Sequence, residues 1–386
     1  MPVLEIVYSA ILTVPIIPAF ICIVNNNWLP VLGDFFVPSG PYMSDKLVSV
    51  LIPARNEEGK IGACLDHAVS QEYTNLEVLV LDDDSIDNTG DVVASFNDQR
   101  VRLIKGQPLP DGWVGKNWAC HQLSQNPNGD FFIFLDADTI LEKRVLELSV
   151  SVLRSKKIDL LTLIPRRISA HFVERLMFPF IDLAFFCWLP MKLAHHNKNP
   201  YLSATFGQFM LFKKDSYLEI GGHAAVRNVT LDDFELGPLI KEKKFKWFLM
   251  DANGQVKTLS YDDNLSAFKG ISRSVFPALH YHISILLVLS CILMSIGFVP
   301  ILTFGSEVFS RVVSYINILL SFLSFGFMAL SWGIVCRKFG HNMLLVALFS
   351  VSMLFMVIVA YHSLVPSAFR LSNWKGRGIS SERLCL

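Results

Sequence analysis

Four long apolar runs decide most of what this chain can fold into. The first, VLEIVYSAILTVPIIPAFICIV over residues 3–24, carries one acid and no base. Three more lie near residues 279–303, 312–335 and 343–365. At about 1.5 Å of rise per residue, each is long enough as a helix to cross a hydrocarbon core of about 30 Å. A signal peptide explains the first run less well, because no basic segment precedes it and no small-residue cleavage site follows. NNNWLP follows instead, and its Trp28 suits a membrane interface. Apolar residues make up 52% of the chain, and the excess sits at its two ends. The expected organisation is a transmembrane anchor and linker (1–45), a soluble domain (46–278), and a C-terminal membrane domain of two or three spans with a basic tail (279–386).

Within the soluble stretch, short apolar strands alternate with segments of helical spacing. VSVLIPARNEE, LEVLVLDDDSIDNT, VRLIKG and DFFIFLDADTI read as strands, with helices between them. The strands are apolar on both faces, which means a mostly parallel sheet covered on both sides, an α/β fold. Lys+Arg and Asp+Glu both number 34, so the net charge is zero and a nucleic-acid partner is not expected. The seven cysteines form no C-x-x-C pair, which argues against a disulfide framework or a zinc site.

Three of the strands end in polar clusters: Arg55-Asn56-Glu57, Asp82-Asp83-Asp84 and Asp136-Ala137-Asp138. Ligands of open α/β sheets bind outside the carboxyl ends of the strands, so these clusters should converge on one crevice. Crowded carboxylates repel one another, and a divalent cation is their natural partner. Hard oxygen ligands suit Mg²⁺ or Mn²⁺, which in turn suit a phosphate-bearing substrate. FLDADTIL also resembles the nucleophile motif of haloacid-dehalogenase-type phosphatases. That motif normally has Thr or Val where this chain has Ile140, and it opens its domain, whereas here an α/β pattern already precedes it.

These segments together resemble the family 2 glycosyltransferases of the GT-A fold, a Rossmann-like, mostly parallel sheet. PLPDGWVGKNWACHQ, GQFMLFKKDSYLEIGGH and the tail motif WKGR closely resemble a membrane-bound subgroup that includes hopanoid-associated and carotenoid (diaponeurosporenoate-type) glycosyltransferases. The resemblance implies a nucleotide-sugar donor (a UDP-sugar), Mn²⁺ or Mg²⁺, and inversion at the anomeric carbon. It places Pro53, Arg55 and Glu57 in the donor-binding loop, Asp83 at the nucleobase, and Lys116 beside the donor. Asp136 and Asp138 match the D-x-D, with Asp138 as direct metal ligand and Asp136 on the donor. In TLDDFELG, Asp233 matches the catalytic base and Asp232 its acidic neighbour. The chemistry agrees, since an acceptor hydroxyl must lose a proton to a positioned carboxylate as it attacks. Four features depart from the family. Asp84 stands where Gly is usual, the shorter Asp232 stands where Glu is usual, FKGISRSVF lacks the Q-x-x-R-W of processive relatives, and Leu259-Ser260-Tyr261 lacks an arginine found in the subgroup. The missing Q-x-x-R-W favours transfer of a single sugar.

Several residues beyond the motifs carry expectations. Trp113 follows Gly112 in a loop, where an indole can stack on a sugar or nucleobase. His223 follows Gly221-Gly222, and the glycines suggest tight backbone beside the acceptor site. The apolar stretch from Phe172 to Pro200, interrupted by Pro179 and Pro190, reads as one or two helices lying in the membrane interface. A membrane lipid or an isoprenoid acceptor would then reach the site from the membrane. The chain is expected to be an integral protein of the cell membrane with its catalytic domain in the cytoplasm, where nucleotide sugars are. Three later spans would put the basic tail outside, but Arg370, Lys375, Arg377 and Arg383 argue for inside, so one C-terminal run is expected to be re-entrant or interfacial. The alternative function, from a different class, is a non-enzymatic membrane protein using a degenerate transferase domain as a binding module.

Overall fold

The computed structural model describes residues 12–35, 45–309, 314–368, 373–374 and 377–378. Residues 1–11 of the first apolar run and tail residues Arg370, Lys375 and Arg383 lie outside the described residues. The described part of the first run contains helix α1 (Ile16–Trp28).

Strands β1 (Val48–Ala54), β2 (Leu76–Asp82), β3 (Val101–Lys105) and β4 (Phe131–Leu135) are linked by helices α2 (Ile61–Val69), α3 (Thr89–Ala94) and α4 (Gly115–Leu123). The chain continues through β5 (Thr139–Leu141), α5 (Val145–Ser155), β6 (Leu160–Ile164), β7 (Arg166–Arg167), α6 (Phe172–Trp188) and α7 (Met191–His196). It completes the sheets with β8 (Phe209–Lys213), α8 (Lys214–Glu219), α9 (Gly222–Ala225), α10 (Asp232–Glu242), β9 (Trp247–Asp251) and β10 (Val256–Thr258), and α11 (Asn264–Val275) follows. The main sheet has the order β3-β2-β1-β4-β8-β6-β9, with β8 antiparallel to both its neighbours. Every residue of β1, β4 and β6 is buried, which is why these strands are apolar on both faces. A small sheet, β5-β10-β7, stands beside the carboxyl end of β4.

Helices α12 (Ile283–Val308), α13 (Tyr315–Phe339) and α14 (Phe349–Ala368) follow. Among the described residues, these three are long and apolar enough to cross a membrane. All three C-terminal runs therefore contain a helix that meets that test. Helix α6 departs from expectation, because it runs unbroken through Pro179 and ends only before Pro190. It packs against α1, α11, α13 and α14.

Buried charges tie these two parts together. Asp182 of α6 is fully buried and receives Arg167 on one oxygen and His341, 2.7 Å away, on the other. Lys338, in the last turn of α13, pairs with Asp251 at the end of β9, 2.8 Å away. Gly340 ends α13 with φ +76°, and a Cβ there would stand 2.7 Å from the Arg166 guanidinium.

Gly221 and Gly222 both have positive φ, +82° and +50°. A Cβ on Gly222 would meet the buried Tyr217 ring at 2.5 Å. Gly222→Ala should therefore destabilise the protein by about 1–3 kcal/mol, through overpacking and a strained backbone. Thermal melting of the purified protein checks this, and an unchanged melting temperature would contradict it.

Candidate active site

The carboxyl ends of β1 and β4 open into a cavity of roughly 1670 Å³. Pro53, Arg55 and Glu57 line it after β1, and Asp136 and Asp138 line it after β4. Lys116, in the first turn of α4, reaches it from a third side, and Asp232 and Asp233 reach it from the first turn of α10. The meeting of the two strand-end groups follows from the sheet, since β1 and β4 are parallel neighbours whose chains leave at the same edge.

Lys116 is the hub of this end. Its Nζ lies 2.8 Å from Asp136 Oδ1 and 3.8 Å from Asp232 Oδ1. Burial disfavours its charge, but Asp136 and Asp232 outweigh that and raise its pKa well above the usual lysine value. Burial would also raise Asp232, but the Lys116 ammonium and a hydrogen bond to His223 hold it well below the usual carboxylate range. Asp233 goes the other way: burial and the adjacent Asp232 charge push it up to about 7. Its Oδ2 accepts the Gly207 N–H at 2.9 Å. Two neighbouring carboxyls are thus driven apart, one kept ionised and one poised to exchange a proton near neutrality.

The loops after β1 and β2 are laced to each other. Arg55 donates to the carbonyls of Asp83 and Asp84, and the Asn56, Glu57 and Glu58 N–H groups bond to Ser85, Thr89 and Asp87. Asp84 has φ +57°, the left-handed region in which glycine is usual and aspartate is tolerated. This accounts for the departure noted at that position. Asp83 is fully buried and lies outside the cavity wall, whereas Asp87 of the same loop lines it.

Two expectations change. Trp113 is outside the cavity wall, because its ring packs edge-on against Trp118 at 5.0 Å and against His121 at 5.0 Å. His223 is completely buried and also outside the wall; it binds Tyr217 and Asp232 and faces no acceptor space. Of the glycines before it, Gly222 accommodates the Tyr217 ring and Gly221 lies against Ala225.

The cavity also holds residues the motifs did not mark. Arg167, Tyr261, Lys269 and Arg273 line its middle. Buried Glu174 accepts the Tyr261 N–H at 2.8 Å and the Ser260 hydroxyl at 3.0 Å, which fixes the segment where an arginine was missed. Lys269 and Arg273 lie one helical turn apart on α11, a spacing readable in FKGISRSVF. Beyond them the wall turns apolar, with Phe180 and Ala184 of α6, Leu289 and Leu293 of α12, and Met356 and Ala360 of α14. One continuous space therefore runs from the carboxylates to the membrane helices.

Comparison with known proteins agrees with this architecture. The model of the family described as glycosyl transferase family 2 matches residues 49–221. A UDP-Glc:alpha-D-GlcNAc-diphosphoundecaprenol beta-1,3-glucosyltransferase, WfgD, of Escherichia coli is 36% identical over 117 residues, 30% of this chain and 45% of that protein. The 4,4'-diaponeurosporenoate glycosyltransferase of Staphylococcus aureus is 30% identical over 201 residues, 50% of each chain. The chain thus spans about half the length of the curated relatives it matches. Among solved structures, the mannosyltransferase PcManGT of Pyrobaculum calidifontis, in complex with GDP-Man and Mn²⁺, aligns with a TM-score of 0.50 at 14% identity, over 93% of this chain and 99% of that one. That likeness is one of fold. Residues 49–221 thus match a family 2 glycosyltransferase domain, and the chain around them has the GT-A fold joined to apolar helices of membrane-spanning length.

Proposed function

We propose that the protein is an inverting, metal-dependent glycosyltransferase that moves one sugar from a nucleotide-sugar donor to a membrane lipid or isoprenoid acceptor. The observation that carries this reading is the single cavity, acidic at the strand ends and apolar between α6, α12 and α14. A donor with charged phosphates suits the first end, and a hydrocarbon chain suits the second.

In this reading the acceptor hydroxyl lies beside Asp233, whose carboxylate takes its proton. The oxygen bonds to the anomeric carbon as the bond from that carbon to the diphosphate breaks, and the nucleoside diphosphate leaves with the electron pair. Lys116 stays fixed by Asp136 and Asp232 and presents a positive wall to the leaving phosphates. The residues fit a hard divalent cation. Asp136 is paired with Lys116, which leaves Asp138 as the protein carboxylate for Mn²⁺ or Mg²⁺. Among the described residues no cluster of three His, Cys, Asp or Glu could hold a metal alone. That suits an ion bound through one or two carboxylates together with substrate phosphates and water. Such an ion, when bound, offsets the charge that builds on the departing diphosphate. Pro53, Arg55, Glu57 and Asp83 are assigned to the donor side, and a UDP-sugar is the favoured donor. The catalytic domain is assigned to the cytoplasmic face of the cell membrane. Intact Lys116, Asp136 and Asp233 weigh against a degenerate binding module.

Mass spectrometry of lipid extracts from cells with and without the protein tests the proposal. A glycosylated lipid present only with the protein supports it, and identical extracts would refute it. Ala184→Trp should fill the apolar end of the cavity and raise the acceptor KM at least about tenfold, the scale of lost apolar pocket contacts. Donor affinity, read by titration calorimetry, should stay unchanged; a donor effect of similar size would place the acceptor elsewhere.

A further inference from the structure

Behind Asp232 lies a buried chain of polar groups that the transfer chemistry above does not use. His223 Nε2 is 3.2 Å from Asp232 Oδ2, and its Nδ1 is 2.8 Å from the Tyr217 hydroxyl. That hydroxyl also accepts the His223 backbone N–H at 3.1 Å. The Phe134 ring packs on the imidazole at 4.5 Å. The ring is thereby held on both nitrogens and one face, far from solvent. Because Asp232 is an acceptor-only carboxylate beside Lys116, the hydrogen of this contact belongs to Nε2.

The sequence puts two carboxyls side by side, and both feel one ammonium. Asp233 is faced by Lys116, Asp136 and Asp232, and by the Gly207 N–H. Asp232 is faced by Lys116, His223 and Cys120. His223 is faced in turn by His121 of α4. Of these, only His223 contacts one carboxyl of the pair from behind, away from the cavity.

We propose that His223 is a positioning residue that gives the adjacent carboxyls Asp232 and Asp233 different roles. Its hydrogen bond holds Asp232 as the carboxylate partner of Lys116 and leaves Asp233 as the group that takes the acceptor's proton. This rests on the glycosyl-transfer reading above. Tyr217 serves the same end by fixing the imidazole. If the bond is lost, Asp232 stays ionised beside Lys116, but its charge is no longer shared with the imidazole N–H, so it repels a proton-free Asp233 more strongly and Asp233 becomes competent only at higher pH.

The test is the pH dependence of kcat/KM for the full-length enzyme in detergent micelles. The donor is UDP-glucose, UDP-N-acetylglucosamine or GDP-mannose, whichever supports transfer, and the acceptor is an organic-solvent extract of the producing cell's membranes. His223→Leu and Tyr217→Phe should move the acid limb upward by about half a pH unit or more, a fraction of the change that losing a hydrogen bond makes at the charged group itself. His223→Gln, whose amide N–H can reach the same oxygen, should keep the limb within a few tenths of a unit of wild type. Asp232→Asn should lower the limb by itself, and His223→Leu should add nothing in that background. Limbs that coincide with wild type while the melting temperature falls would reduce His223 to a packing residue and overturn the proposal. If His223→Leu does not fold, Tyr217→Phe carries the comparison, and an unshifted limb there is equally fatal. A wild-type enzyme that transfers no sugar from any of these donors sinks the glycosyl-transfer reading itself, and this proposal with it.

Discussion

Asp233→Asn should lower kcat by roughly 10²–10⁴-fold, the range for removal of a general base. The amide keeps the size of the carboxyl and can still meet the Gly207 N–H, but it cannot take a proton. Donor affinity should change little. The pH profile sharpens the test. Because burial and Asp232 push the Asp233 carboxyl up to about 7, wild-type kcat/KM should fall as pH drops below that value. An ordinary aspartate would hold activity down to about pH 4. Stability should run in the opposite direction. A carboxyl whose pKa is raised on folding favours the native state when protonated, and that contribution fades as pH rises through about 7. Asp233→Asn should therefore melt at least as high as wild type at pH 8 while having lost its turnover. A variant that melts lower and transfers sugar at the normal rate would remove Asp233 from the chemistry and leave it a helix-terminus charge.

Chelation should abolish transfer, and added Mn²⁺ or Mg²⁺ should restore it. The expectation rests on Asp138, which stands on the cavity wall two residues beyond an Asp136 already engaged by Lys116. Asp138→Asn should weaken nucleotide-sugar binding as well as turnover, because one carboxylate contributes to holding the diphosphate through the ion. Titration of the donor with and without Mn²⁺ measures this directly. Full activity in EDTA, or an Asp138→Asn protein that binds the donor as wild type does, would exclude a metal held at this position.

Much of the site was legible because apolar strands that end in acids advertise their carboxyl ends. VSVLIPARNEE and FFIFLDAD announced both the buried strands and the polar edge where Arg55, Asp136 and Asp138 gather. The meeting of Lys116 with Asp136 and Asp232 was not legible, since it depends on how α4 and α10 pack and not on any local pattern. The surroundings of His223 were not legible for a related reason. A glycine pair signals that something comes close, but not what, and at Gly222 it is the chain's own Tyr217 ring. The path of α6 through Pro179 was missed because proline was taken as a break, while packing on four helices holds the helix together. Its Asp182 was the overlooked clue, because an acid in so apolar a stretch needs partners and has two.

Those partners bear on how the protein can be handled in the laboratory. Cutting the chain ahead of α12 removes the three long apolar helices. The same cut would leave Asp182 with Arg167 as its one remaining ion partner among those described here and would strip Lys338 from buried Asp251, and breaking a buried pair in this way costs about 3–5 kcal/mol. A few kilocalories is the whole margin of many domains. The severed fragment would also have lost one wall of the cavity. Crystallographic or screening work is better begun from the intact polypeptide in nanodiscs, with the helices treated as part of the enzyme's interior.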